Sequence, residues 1–320
     1  MAEYKFMSPE VQYYIEVQQH QIPGWLYLVS CFMIPILDQV QKNQGIKGDI
    51  CEIGVFEGKT LALLGLLARP GEICVGLDIE VRENLQANLR NIFPDKYPFL
   101  VEKRDSLELD AGSVLQFSHS GGYRFFHVDG YHTFENALND LQLAAATLSP
   151  GGIIFLDDFY SPTVPGVTEA FHHLVEKNLN HGVLPFAMGG AKAYLCHEEY
   201  IELYRTALFE NMPMPSKSHP QVGVLFGKPI AIYDLYPSHI EVQGSKSNNV
   251  TVSDSVEAPK VSLRKLERVQ GKLKLKEDKI KLLQKELREA KNGIEAMKSS
   301  KFWKLREIYM NLKKKLPFST

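Results

Sequence analysis

The sequence predicts an α/β protein built on a doubly wound, mostly parallel sheet. Three observations carry that expectation. Strand-like apolar runs alternate with helical stretches from residue 48 onward. A glycine-containing loop, Gly54-Val-Phe-Glu-Gly58, sits at the first strand-to-helix turn, and acidic residues end the strands that follow. Two final apolar runs flank Gly189-Gly190 and read as a hairpin, which places an antiparallel strand at or near the sheet edge.

Taken in order, residues 8–44 read as helices, with Pro9 and Pro23 at helix starts. The most apolar window, 22–37, is 16 residues long and contains Pro23 and Pro35. A membrane span needs about 20 apolar residues, so this window reads as a buried helix. DICEIGV is the first strand and KTLALLGLLA the first crossover helix; EICVGLDI is the second strand and RENLQANLRNIF is amphipathic. FLVEKRD and YRFFHVDG are the third and fourth strands, FENALNDLQLAAATL is a helix stopped at SPGG, and GGIIFLDDF is the fifth strand. VTEAFHHLVEKNL is helical, and VLPFAM and AKAYLCH form the hairpin.

Beyond residue 240 the pattern changes. Residues 241–262 are polar, lack apolar periodicity and read as a linker. Over 263–297 a heptad emerges, with Leu266, Leu273, Ile280, Leu287 and Ile294 at one position and Val269, Lys276, Leu283, Ala290 and Met297 at the other. That repeat predicts a coiled coil and self-association, the alternative being a lone amphipathic helix packed on the body. Residues 298–320 are basic with interleaved Phe302, Trp303, Leu305, Tyr309, Leu312 and Leu316. Such a tail suits an anionic membrane surface or a partner protein, or it simply continues the coil into solvent.

The charge is sorted along the chain. Residues 1–257 carry 17 Lys and Arg against 31 Asp and Glu, whereas residues 258–320 carry 19 against 7. With 44% hydrophobic residues and a mean hydropathy of −0.17, the composition excludes collagen-like, wholly disordered and polytopic membrane classes. Cys31, Cys51, Cys74 and Cys196 form no CxxC pair and read as buried free thiols in a reducing compartment. The start MAEYKFMSPE lacks the pattern of a signal peptide. The expected location is cytoplasmic, with the tail able to reach the inner face of the membrane, and no nucleic-acid partner is expected.

The chemistry concentrates at the strand ends. The loop is one residue short of a phosphate-binding P-loop, because Gly54 precedes Gly58-Lys59-Thr60 by only three intervening residues and the place of the first glycine is held by Ile53, which argues against a triphosphate cradle. The loop instead reads as acid-x-Gly-x-x-x-Gly, starting at Glu52, which lets backbone approach a ligand closely. Asp78 ends the second strand, where a carboxylate can accept two ribose hydroxyls, and Asp105 ends the third, where an adenine could be met. Asp129 ends the fourth strand and Asp157-Asp158 the fifth, so three carboxylates can converge on one sheet edge. Together they would repel and resist desolvation, and a hard divalent cation such as Mg²⁺ would resolve this; alternatively, Asp157 or Asp158 caps the following segment. His132, in DGYHTFEN, is a candidate general base or a hydrogen-bonded surface residue, whereas His127 reads as structural and His172-His173 as solvent-facing or packed.

In combination, EIGVFEGKT, GLDIE, KRDS, HVDGYHTFENALNDL, SPGGIIFLDDF and GGAKAYL resemble the class I S-adenosylmethionine-dependent methyltransferases, in particular the branch of macrocin-type and related sugar O-methyltransferases. The resemblance covers about residues 20–200, and IPGWLYL is similar to the family's helical lead-in. It implies a Rossmann-like, seven-stranded sheet with a reversed final strand, a lead-in over 1–45 and a methyltransferase domain over 46–240. It implies that Glu52, Gly54 and Gly58 flank the methionine end of S-adenosylmethionine, that Asp78 binds ribose and that Asp105 lies near adenine. Asp129 would then stand at both cofactor and metal, and Asp129, Asp157 and Asp158 would hold Mg²⁺. Many relatives carry an Asp two residues after the first metal ligand; here that residue is Tyr131, so His132 becomes the base candidate. Lys192 matches a lysine of the last hairpin and is expected near the substrate mouth. The tail resembles endings found on proteins of surface-polysaccharide assembly. The function implied is O-methylation of a sugar or glycan hydroxyl. A non-catalytic assembly factor of polysaccharide biosynthesis is the alternative, and a small-metabolite O-methyltransferase a third reading.

Overall fold

A computed structural model describes residues 5–213 and 221–233. The linker, coiled coil and basic tail expected over 241–320 lie outside the described residues.

The chain opens with α1 (Pro9–Glu16), whose start is set by Pro9 in the first turn and by the Ser8 hydroxyl accepting from Val11 N. Pro23, expected at a helix start, instead lies in a non-helical stretch, and α2 (Leu28–Asn43) begins five residues later. The stretch carries Gly24 at φ +114, which no helix accommodates. From α2 inward the apolar window behaves as expected, and Val29 to Leu37 are all buried.

The sheet is formed by β1 (Asp49–Ile53), β2 (Cys74–Asp78), β3 (Phe99–Lys103), β4 (Tyr123–Val128), β5 (Leu148–Leu156), β6 (Val183–Gly189), β7 (Lys192–His197), β8 (Gln221–Leu225) and β9 (Lys228–Tyr233). Their order across the sheet is β3-β2-β1-β4-β5-β7-β6-β9-β8. The central strands are parallel, and β7 runs antiparallel between β5 and β6. The reversed strand is therefore present as expected, but among the described residues the sheet has nine strands rather than seven. The hairpin of β8 and β9 was missed because β8 is largely exposed and β9 carries Pro229, both of which weaken a strand pattern. Pro229 is tolerated because β9 pairs with β6 only from Ala231 onward. Both hairpins close through two-residue turns of positive φ, Gly190-Ala191 and Phe226-Gly227, whose twist matches the flanking strands.

The helices α3 (Lys59–Leu67), α4 (Glu83–Ile92), α5 (Ala111–Leu115), α6 (Phe134–Thr147), α7 (Pro165–Glu176) and α8 (Ile201–Asn211) complete the fold. Because side chains alternate along a strand, the sheet feeds two apolar layers. Ile50, Phe125, Ile153 and Phe155 pack with residues of α1, α2, α3 and α8 on one face. Cys51, Val75, Phe126 and Ile154 pack with α6 and α7 on the other. All four cysteines are buried free thiols. Among the described residues no helix is long and apolar enough to cross a membrane.

One buried cation ties the layers together. Arg124, on β4 and wholly buried, meets Glu72 through Nε and Nη2 at 2.9 Å each, Asp38 at 2.8 Å, Gln41 at 2.9 Å and the Leu67 carbonyl at 2.8 Å. It thereby locks α2 and the end of α3 to the sheet with every donor directed at an acceptor.

Candidate active site

The strand ends are set side by side by the ladder itself. Asp129 N donates to Ile53 O at 2.9 Å and Asp157 N donates to Val128 O at 3.0 Å, so the exits of β1, β4 and β5 open on one edge. There a cavity of about 750 Å³ is lined by Glu52, Gly54, Asp78, Asp129, His132, Asp157 and Asp158. It thus gathers seven of the residues singled out in the sequence. Gly58 and Asp105 do not line it. Gly58 caps α3 at φ +87 with its missing Cβ facing Leu85, and Asp105 accepts from Leu107 N, starting a 3₁₀ turn whose Ser106 reaches the cavity instead.

Asp78 holds the glycine loop. Its Oδ2 accepts from the amides of Val55 and Phe56 at 2.8 and 3.0 Å, and its Oδ1 accepts from Glu80 N at 2.9 Å. Tyr14 hydroxyl donates to the Lys59 carbonyl, and Lys59 Nζ donates to Gly24 O at 2.7 Å, which pins the lead-in segment to the helix that follows the loop. That segment brings Trp25 to the cavity rim, 81% exposed, and Tyr131 borders the same space at 66% exposed.

His132 stands between two of the carboxylates, with Nε2 3.0 Å from Asp129 Oδ1 and 3.5 Å from Asp158 Oδ2. The hydrogen bond with Asp129 raises the imidazole pKa, with burial opposing it. Burial and the neighbouring Asp157 charge push Asp129 up to about 7. Phe56, His132 and Asp158 all adopt left-handed φ, between 51° and 54°, and all three line the cavity. Such backbone costs about 1–3 kcal/mol per residue and is held by its surroundings.

From the cavity floor inward runs a chain of buried titratable groups. Asp157 accepts an ion pair from Lys192 and, through Oδ1, a hydrogen bond from Asp158 N at 2.8 Å. Lys192 Nζ also lies 3.0 Å from His127 Nε2, and His127 Nδ1 lies 2.7 Å from Glu52 Oε1. An ammonium can only donate, so Nε2 accepts and the proton of the imidazole sits on Nδ1, directed at Glu52. Burial, reinforced by Lys192, pushes His127 well below its usual value and keeps it neutral. Burial, then the Asp129 charge, pushes Glu52 well above the carboxylate range, and its Oε2 is buried without a hydrogen-bond partner. Burial works against charges on Lys192 and Asp157 alike, but each outweighs it for the other: Lys192 is raised and Asp157 lowered.

Two expectations change here. Lys192, expected near the substrate mouth, is 2% exposed and lies beneath the cavity. His127 is more than a core residue, because it bridges Glu52 and Lys192. The only signals for this in the sequence were a polar residue inside each of three apolar strands. Asp129, His132 and Asp158 each offer an atom within 4.8 Å of one another, and so do His127, Asp129 and Asp157, the last of these also paired with Lys192.

Residues 51–159 match the family described as a methyltransferase domain. Comparison with curated protein sequences finds no match. Among solved structures, the chain is similar to CalS11, described as a TDP-rhamnose 3′-O-methyltransferase of calicheamicin biosynthesis, at 18% identity and a TM-score of 0.41, covering 60% of this chain and 96% of that one. It is similar to the O-methyltransferase NovP at 13% identity and a TM-score of 0.41, covering 52% and 78%. An O-methyltransferase from Bacillus cereus, solved in complex with SAH, shares 15% identity at a TM-score of 0.41, covering 59% and 89%. The stretch that matches this methyltransferase domain, residues 51–159, carries the glycine loop and Asp78, Asp129, Asp157 and Asp158.

Proposed function

We propose that the cavity binds S-adenosylmethionine and transfers its methyl group to a hydroxyl of a sugar or glycan. The observation that carries this reading is the placement of His132, Asp129 and Asp158 in one cavity with the Gly54 loop and Asp78. Bound there, S-adenosylmethionine supplies a sulfonium methyl, which an acceptor oxygen takes as the C–S bond breaks and S-adenosylhomocysteine leaves. Gly54 gives the cofactor close access to backbone, and Asp78 presents a carboxylate at the ribose position. His132 takes the hydroxyl proton at Nδ1, the ring nitrogen that Asp129 does not engage, while Asp129 accepts from Nε2–H, orients the ring and stabilises the imidazolium that forms. Holding the hydroxyl against the methyl carbon supplies much of the acceleration.

A divalent cation fits Asp129 and Asp158, since Mg²⁺ is commonly held by one or two carboxylates and otherwise by water. When bound it would acidify the acceptor hydroxyl. A sugar suits the rim, because Trp25 and Tyr131 offer exposed aromatic faces on which the apolar side of a pyranose can lie. The heptads over 263–297 add self-association to this reading, which light scattering of the full chain checks.

The deciding experiment is calorimetric titration with S-adenosylmethionine and S-adenosylhomocysteine, in Mg²⁺ and then in EDTA. Micromolar binding that is lost in Gly54→Leu supports the reading and opens a screen of glycan acceptors. Absence of binding in both conditions overturns it.

A further inference from the structure

The family resemblance assigns three carboxylates to the cation, and the geometry divides them. Leu156 pairs with Ala193 across the antiparallel β5–β7 ladder, so the next positions, Asp157 and Lys192, face each other at the strand ends. The Lys192 ammonium occupies Asp157 Oδ2, and Asp157 Oδ1 is taken by the amide of Asp158. Lys192 is held in turn by His127 Nε2 at 3.0 Å, and His127 by Glu52 at 2.7 Å. Both Asp157 oxygens are thus engaged, although one still lies within 4.8 Å of ligand atoms of Asp129 and His127, whereas Asp129 and Asp158 pair with the solvent-accessible His132 ring.

We propose that Lys192 is a positioning residue that serves as an internal countercation, withholding Asp157 from the divalent ion and leaving a seat of two carboxylates, Asp129 and Asp158. This rests on the methyltransferase reading only in taking a divalent ion to bind at this edge. The physical consequence is a weakened site. With Asp157 neutralised by Lys192, the ion gains no third carboxylate. The Asp157–Lys192 pair is neutral as a unit, so deleting both members should leave the seat nearly as it was, whereas deleting the lysine alone should free a buried carboxylate for the ion.

Mn²⁺ binding to the full-length protein, followed by electron paramagnetic resonance of the free ion, tests this without any acceptor or cofactor. Lys192→Met should bind Mn²⁺ at least tenfold more tightly than the unaltered protein. Asp157→Asn combined with Lys192→Met should return the affinity to within about threefold of the original, and Lys192→Arg should stay there too. If Asp157 is a ligand, the double variant loses tenfold or more, and the proposal falls. It falls equally if Lys192→Met binds no better than the unaltered protein, or if neither binds Mn²⁺. Should Lys192→Met alone not fold, the double variant still decides, because it leaves no unpaired buried charge. Failure of the cofactor titration would instead strike the methyltransferase reading and leave the Mn²⁺ result standing.

Discussion

Gly54 and Asp129 meet backbone to backbone: a Cβ placed on Gly54 would stand 1.8 Å from the Asp129 carbonyl oxygen. The loop proposed to approach the cofactor and the strand that carries the candidate catalytic aspartate are therefore one mechanical unit. No neighbouring side chain can swing aside to make room, because the obstacle is main chain.

This contact predicts a graded pair of substitutions. Gly54→Ala combines the clash with a left-handed φ of +87° and should cost ~2–4 kcal/mol, with loss of S-adenosylhomocysteine binding. Gly71→Ala has a similar φ of +89° but open space around it, and should cost only ~1 kcal/mol with binding intact. Urea unfolding and calorimetry on both variants check this, and equal costs would show that the contact with Asp129 does not matter.

His132 is the general base of the proposed reaction, and general-base catalysis typically contributes about 10²–10⁴-fold. His132→Gln should lower kcat on an accepted glycan by ~100-fold or more while the affinity for S-adenosylhomocysteine stays within about twofold. A variant that turns over normally would remove the histidine from the reaction.

Asp140 on α6 is 1% exposed, its Oδ2 has no hydrogen-bond partner, and burial raises its pKa from 3.8 to about 6. The folded state therefore holds its proton more tightly than the unfolded chain does. That contribution to stability is complete below pH 4 and is lost as pH rises through about 6. Asp140→Asn removes the ionisable group and should stabilise the protein by ~1–3 kcal/mol at pH 8 and by almost nothing at pH 4. Thermal unfolding at the two pH values reads this difference, and the opposite pH dependence would contradict it.

Arg124 offers a test of the scaffold. Removing one member of a buried ion-pair network leaves the others uncompensated and costs ~3–5 kcal/mol. Arg124→Ala should fall in that range, and Arg124→Lys should recover only part of it, because an ammonium cannot reproduce the planar fork that meets Glu72. Chemical denaturation of both variants settles the order.

Much of this protein was determined by its sequence alone. The alternation of strands and helices is a local pattern, and acids at strand ends fall on one edge in any parallel sheet, so Asp78, Asp129, Asp157 and Asp158 were legible as a group. Their partners were not. Lys192 reaches Asp157 only because β7 inserts in reverse between β5 and β6, and His127 meets Glu52 only because β4 pairs with β1 in that register. Both contacts depend on which strands become neighbours, a non-local outcome that no spacing along the chain encodes. Gly58 and Asp105 make the same point in reverse: their spacing suggested ligand contacts, but packing against Leu85 and the capping of a 3₁₀ turn took them out of the cavity. Sequence placed the charges along the edge, whereas the tertiary structure decided which of them neutralise one another and which face the cavity, because burial and pairing set a carboxylate's charge more than its identity does.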